Sequence, residues 1–140
     1  MKVYVASSWR NEYQQEVVTK LRDQGYDVYD FKSQKNNFHW SEVDGGYKTW
    51  TKYQYREALN HSVSEKGFKI DMDALTMCDV CVLVLPCGRS AHIEAGWACG
   101  AGKPVLVLLA EENEPELMYK MVEGVCVSLD EVIAVLRTLG

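Results

Sequence analysis

The stretch Cys78–Leu109, CDVCVLVLPCGRSAHIEAGWACGAGKPVLVLL, decides how this chain reads. Val80 to Leu85 is an unbroken apolar run without alternation, which suits a strand buried on both faces of a helix-covered parallel sheet. Pro86, Cys87 and Gly88 end it. Ser90 is placed to cap a helix that runs to about Gly100, and Gly102 and Pro104 then stop that helix. Val105 to Leu109 is a second apolar strand. The product is a strand–helix–strand unit with one acid, Glu94, expected in the first helical turn. That position lies at the carboxyl end of the strand, where open parallel sheets collect their ligands.

Working outward, Lys2–Ala6 (KVYVA) reads as a first strand, followed by Ser7-Ser8-Trp9-Arg10. Asn11–Asp23 carries an apolar stripe of Tyr13, Val17, Val18 and Leu21 at helical spacing, and Gly25 ends it. Tyr26–Phe31 is a second strand. The short connections imply a right-handed parallel crossover. Lys32–Tyr55 is polar yet dense in rings (Phe38, Trp40, Tyr47, Trp50, Tyr53, Tyr55), unlike a linker. It is expected either to wall a binding site or to pack on the body of the protein. A short helix is expected over Tyr53–His61 and a clearer one over Phe68–Met77, with Asp71 and Asp73 near its start, where acids suit the helix dipole. Beyond the opening unit, Ala110–Glu116 is an acidic loop and Pro115 can begin a short helix to Met121. Gly124–Val127 is a fifth strand, and the capping box Ser128-Leu129-Asp130-Glu131 begins the last helix.

Five strands with helices between them predict a single α/β domain over 1–140, a flavodoxin- or Rossmann-like three-layer α/β/α sandwich with a five-stranded parallel sheet in the order 2-1-3-4-5. A net charge of −5 argues against a binder of duplex nucleic acid, which needs a basic face. No apolar run reaches the length of a membrane span, and MKVYVASS is too quickly polar for a signal peptide, so a cytoplasmic protein is expected. Cys81, Cys99 and Cys126 fall in apolar stretches and read as free core thiols. Cys78-Asp79-Val80-Cys81 spells C-x-x-C, but it precedes a strand instead of opening a helix, where a redox pair would gain its activated thiol. His39, His61 and His92 are scattered, and no paired-cysteine or H-E-x-x-H set exists, so no metal and no cofactor are expected.

In the order 2-1-3-4-5 the first and third strands are neighbours at the switch point. A site is therefore expected between Ser7-Ser8-Trp9-Arg10 and Cys87-Gly88-Arg89-Ser90, with Glu94 facing it. Ser8 and Ser90 offer hydroxyls, Arg10 and Arg89 cations, and the helix starts backbone N–H groups that favour an anion. Neither a phosphate-loop motif nor G-x-G-x-x-G is present, which disfavours nucleoside triphosphates and dinucleotides bound in the usual way. Glu94 stands on a helix of Ala, Ile, Gly, Trp and Cys. Near a helix N-terminus it is expected to stay ionised, as suits a nucleophile, unless it merely pairs with Arg89 or Arg10. Asp71 is a second carboxylate within the fold's reach, and two carboxylates around a sugar can cleave a glycosidic bond through a cation-like transition state.

The run Cys87–Pro104 resembles the signature of the nucleoside 2-deoxyribosyltransferase-like superfamily. The resemblance rests on Asp79 opening the buried strand, then Glu94, Gly96 and Ala98, then Gly102, Lys103 and Pro104. VYVASSWR resembles the family's first strand and loop, and Asp71 falls where the family keeps an acid of the site. The middle, Lys32 to Lys66, has no match. The resemblance implies that Glu94 attacks C1′ of a nucleoside or nucleotide and releases the base, and that a second base or water then takes the sugar. Asp71 would orient the sugar or serve the base in proton transfer, and Tyr4 would orient Glu94 or simply pack. It also implies a homo-oligomer whose sites borrow a neighbour's residue, a part open to Asn113. Ser8-Trp9-Arg10 resembles the phosphate-binding loop of the nucleoside 5′-monophosphate N-glycosidase branch, with Ser90 as a helper. Transferase and monophosphate hydrolase thus stand beside a non-catalytic nucleotide-binding module and a glycohydrolase acting on a larger dinucleotide.

Overall fold

Val80–Val84 (β3) is buried at every residue because it feeds both faces of the sheet in alternation. The structure, a computed structural model, describes residues 1–33 and 38–140. Val80, Val82 and Val84 join one apolar cluster, while Cys81, Leu83 and Leu85 join another. Its neighbours are Lys2–Ala6 (β1), Asp27–Asp30 (β2), Val105–Leu108 (β4) and Gly124–Cys126 (β5). All pair in parallel, in the order β2-β1-β3-β4-β5. The expected α/β architecture is the observed one. Tyr13–Asp23 (α1) and Leu129–Leu139 (α5) cover the first face with Val17, Val18, Leu21, Val132 and Leu136. Ser62–Met77 (α3) and Arg89–Gly100 (α4) cover the second with Leu75, Ala91, Ala95 and Ala98. The short helix Lys52–Ala58 (α2) precedes α3, its Thr51 and Gln54 forming a capping box. Among the described residues no helix is long and apolar enough to cross a membrane.

Several boundaries differ from the sequence reading, and the differences bear on the site. The cap of α4 is Gly88, in extended backbone and without a side-chain bond, so Ser90 lies inside the first turn and Glu94 in the second. Helix α3 begins at Ser62, where the His61 ring accepts the Val63 N–H. Asp71 is therefore mid-helix, beyond the reach of a dipole that fades within the first turn. Helix α1 starts at Tyr13 because Asn11 Oδ1 takes the Tyr13 N–H. Pro115 begins no helix; Leu117–Met121 is a 3-10 turn capped by Glu116. The Ser128 cap is present, but Glu131 reaches back to the Val127 N–H, one residue earlier than a reciprocal box requires.

Two residues of the recognised signature serve the frame. Lys103 Nζ donates to Thr76 O at 2.9 Å and Cys78 O at 2.6 Å, satisfying carbonyls at the end of α3. Asp79 Oδ2 accepts the Lys2 N–H at 2.7 Å and ties the start of β3 to β1. Gly102 closes α4 with φ +79°, the left-handed position a helix stop favours. Lys103→Met removes two charge-assisted bonds, so urea unfolding should show a loss of about 1–2 kcal/mol; an unchanged midpoint would mean that water replaces the ammonium without cost.

Candidate active site

Register places the first pair of groups. Tyr4 of β1 lies opposite Tyr29 of β2, and both rings point to the α3–α4 face, stacked with centroids 5.0 Å apart and planes 14° apart. Ala91, Ala95 and Ala98 let α4 lie close to the sheet there, which brings Glu94 to the Tyr4 hydroxyl. That hydroxyl donates to Glu94 Oε2. The Tyr29 hydroxyl donates to Asp71 Oδ1 at 2.6 Å. Two carboxylates from two helices thus stand on one face, each bonded to a phenol from the sheet beneath.

Both carboxylates line one pocket of about 380 Å³. Its walls include Tyr4, Ser7 and Trp9 from β1 and its loop, Ser90 from α4, and Gly67 and Ile70 from α3. Phe31, Phe38, His39 and Trp40 close it with rings. The loops are held by named bonds. Ser7 Oγ donates to Val84 O at 2.9 Å, and buried Asn11 donates from Nδ2 to Val84 O and to Pro86 O at 3.1 Å. The loop after β1 is therefore tied to the end of β3, across the expected switch point.

The aromatic segment divides. Residues 34–37 lie outside the described residues. Phe38 packs edge-on against Trp40 (4.7 Å between centroids), and Trp40 in turn meets Trp50 and Tyr55. Trp50 Nε1 donates to Asp44 Oδ2 at 2.8 Å, which folds the segment on itself. The segment is both packed cluster and pocket wall. Phe38 rests on Gly67, where an added Cβ would stand 2.9 Å from Phe38 Cβ.

Burial pushes the Glu94 carboxyl up to about 7; the Tyr4 bond opposes the rise and the nearby Asp71 charge adds to it. Glu94 is thus partly protonated at neutrality and not held ionised by a helix start, because it sits one turn too far along and under protein. The alternative, a pairing with Arg89 or Arg10, is not found: the ion pair among the described residues is Lys69–Asp73, on the exposed side of α3. Burial also raises Asp71, against the pull of Tyr29. Burial first, and then the adjoining carboxylates, drive both phenols well above their ordinary range, so they remain proton donors.

Of the residues singled out in the sequence, Glu94, Asp71, Tyr4, Trp9 and Ser90 come together in this pocket. Ser8, Arg10, Gly88 and Asn113 do not line it. Ser8 Oγ accepts the Arg10 N–H within a local turn, and the Arg10 side chain is exposed. Gly88 gives its carbonyl to His92 Nδ1 at 2.8 Å. Asn113 and His92 line a separate hollow of about 620 Å³ between α4 and the 113–122 segment, where His92 Nε2 meets the Tyr119 hydroxyl at 2.8 Å. Cys78 and Cys81 are buried free thiols. Sequence reasoning missed Tyr29, Gly67, Phe31 and Ile70, and placed Ser7 only as part of the loop that borders the site. The matching positions of Tyr4 and Tyr29, each the third residue of its strand, were the signal that could have found Tyr29.

No protein-family model and no curated protein matches the chain. Solved structures do. A 2-deoxyribosyltransferase from the psychrotolerant bacterium Bacillus psychrosaccharolyticus is 19% identical, with TM-score 0.61, over 94% of this chain and 90% of that one. The Clostridium botulinum CMP N-glycosidase BcmB is 19% identical, with TM-score 0.55, over 98% and 99%. A conserved protein from Enterococcus faecalis V583 is 13% identical, with TM-score 0.64, over 99% and 98%. The likeness is one of fold: the chain shares the architecture of these solved structures.

Two outcomes test this geometry. A carboxyl raised from 4.5 to about 7 on folding costs stability as pH rises through that window, because the unfolded chain releases the proton first. Glu94→Gln should therefore melt higher than the parent at pH 8, with the gap closing towards pH 5; a parent that melts higher at pH 8 would show a well-solvated Glu94. Gly67→Ala should displace Phe38 and change the tryptophan emission of the wall by altering its contact with Trp40; an unaltered spectrum would mean that α3 shifts instead.

Proposed function

We propose that this protein cleaves the N-glycosidic bond of a nucleoside and passes the glycosyl group to a second base. The observation that carries this reading is the placement of Glu94, bonded to the Tyr4 phenol, in one ring-walled pocket with Asp71. Ionised Glu94 attacks C1′. The electron pair of the C1′–N bond leaves with the base, which takes up a proton from solvent, and a glycosyl ester remains on Glu94. The nitrogen of the second base then attacks C1′, the C1′–O bond to Glu94 breaks and frees the carboxylate, and the nitrogen's proton passes to solvent. Asp71 accepts a hydrogen bond from the sugar and adds negative charge beside the cation-like transition state. The rings of Trp9, Phe38 and Trp40 offer stacking faces to the base. The fold shared with a 2-deoxyribosyltransferase supports the reading.

A second reading, hydrolysis of a nucleoside 5′-monophosphate, is favoured by one observation: Ser90 lines the pocket from the first turn of α4, where backbone N–H groups suit a phosphate. The fold is likewise that of a CMP N-glycosidase.

Chromatography of ribo- and deoxyribonucleosides and their monophosphates, with and without a free base, separates the two. New nucleoside formed only with the added base is the expected result. Free base from monophosphates alone would select hydrolysis, and intact bound ligand without turnover would select a binding module. Glu94→Gln should lower turnover at least a thousandfold, on the order expected for losing a nucleophile. Because the free-enzyme carboxyl titrates near 7, kcat/KM should rise with pH through that value and level off above it; a flat profile from pH 5 to 8 would remove Glu94 as nucleophile.

A further inference from the structure

Tyr29 touches neither the proposed bond to be cleaved nor the wall of the pocket, yet its hydroxyl is spent on one of the two carboxylates. We propose that Tyr29 is a positioning residue: its phenol fixes Asp71 and keeps it anionic, in the way that the Tyr4 phenol serves Glu94. The catalytic consequence rests on the function proposed above; the ionisation of Asp71 does not.

The two phenol–carboxylate pairs are built alike. Tyr4 and Tyr29 are register partners on adjacent parallel strands, and their rings stack. Their acceptors come from the two helices of the same layer, Glu94 from α4 and Asp71 from α3. The 2.6 Å bond occupies Asp71 Oδ1, and Oδ2 has no protein partner among the described residues, so one oxygen is fixed and the other is left for a ligand. Lysine and arginine contribute no partner to either acid among the described residues. The titratable groups around this pair are the phenols of Tyr4 and Tyr29, the carboxylates of Glu94, Asp71 and Asp30, the thiols of Cys81 and Cys87, and, on the pocket wall, the His39 ring. Two acids sharing a dry pocket tend to keep one proton between them. A donor on each acid decides which one holds it. Without the Tyr29 hydroxyl, Asp71 becomes the better base and takes the proton. Glu94 then loses a repelling neighbour and becomes more acidic. A neutral Asp71 cannot support a cation-like sugar.

Tyr29→Phe is the suitable variant, because it keeps the stacked ring and removes only the donor. The ligand-free protein is titrated by 13C NMR of the Asp and Glu side-chain carboxyl carbons, with Asp71→Asn and Glu94→Gln supplying the assignments. The expected result is an Asp71 midpoint moved up and a Glu94 midpoint moved down. In parallel, kcat at neutral pH should fall roughly tenfold, the loss that one charge-assisted hydrogen bond predicts, with a smaller change in KM. A purely structural Tyr29 would lower the melting temperature and leave both midpoints in place, which would overturn the proposal. If Tyr29→Phe fails to fold, 3-fluorotyrosine placed at position 29 carries the test alone. Its more acidic phenol is a stronger donor and should move the Asp71 midpoint down; an unmoved midpoint would overturn the proposal equally. The titration needs no substrate. A parent protein that turns over nothing would therefore defeat the proposed function and leave the role of Tyr29 standing. Unmoved midpoints together with turnover lost in Glu94→Gln would do the reverse.

Discussion

The parallel pairing that sets Tyr4 beside Tyr29 is the constraint on which the site depends. Side chains alternate along a strand, so a slip of one residue would send either phenol to the α1–α5 face and leave its carboxylate without a donor. Register is secured because both faces are buried: Val3 and Val5 flank Tyr4 and belong to the opposite cluster. The apolar core and the placement of two acids are consequently one problem with one solution. The helices complete it. A chain of alanines draws α4 down onto the sheet, and the fixed end of α3 sets where Asp71 meets Tyr29.

Such a site opposes the stability of the fold that carries it. Burial raises both carboxyl groups, so each is held less ionised than water would leave it. Hydrogen bonds to the charged form recover part of that cost. The recovery comes from phenols on the central sheet and not from cations at the surface. A pre-placed donor needs no reorganisation when charge appears, the property that makes fixed dipoles effective in catalysis. The frame around the pocket is tied with equal economy. Asn11 bridges the loops after β1 and β3, and Lys103 with Asp79 anchors the segment between α3 and β3.

Much of this was legible in the sequence, and the exceptions have physical reasons. The buried strands were plain because a parallel strand covered on both sides is apolar throughout. Glu94 was conspicuous as an acid on an otherwise small and apolar helix. Its ionisation was misjudged because cap position depends on backbone geometry: Gly88 takes the cap that Ser90 was expected to fill, and Glu94 moves out of the dipole's range. Helix α3 was read six residues short since Gly67 interrupts the apolar pattern, although that glycine is needed for the Phe38 ring to lie against the helix. Tyr29 was hidden because an aromatic in a strand reads as core. Only the identity of the neighbouring strand and its register reveal a phenol aimed at an acid. The loop Ser7–Arg10 gave its location from sequence but not its direction. A local turn carries Ser8 and Arg10 away from the pocket while Ser7 and Trp9 enter it.

That loop direction bears on the charge the pocket can accept. Glu94 and Asp71 line it together, and Arg10 and Arg89 are not among the described lining residues. A phosphate seated between the two acids would meet the negative charge they hold in a medium that screens it poorly. It would be tolerated only beside Ser90, where the first turn of α4 offers hydroxyl and backbone donors. An uncharged nucleoside meets no such penalty. On the proposed reading its sugar hydroxyls would donate to the carboxylates, its base would lie against the rings of Trp9, Phe38 and Trp40, and the positive charge growing at C1′ would meet the negative charge of the acids. Under the proposed function, the electrostatics of the pocket would favour a neutral ground state and a cationic transition state, the difference in binding on which catalysis depends.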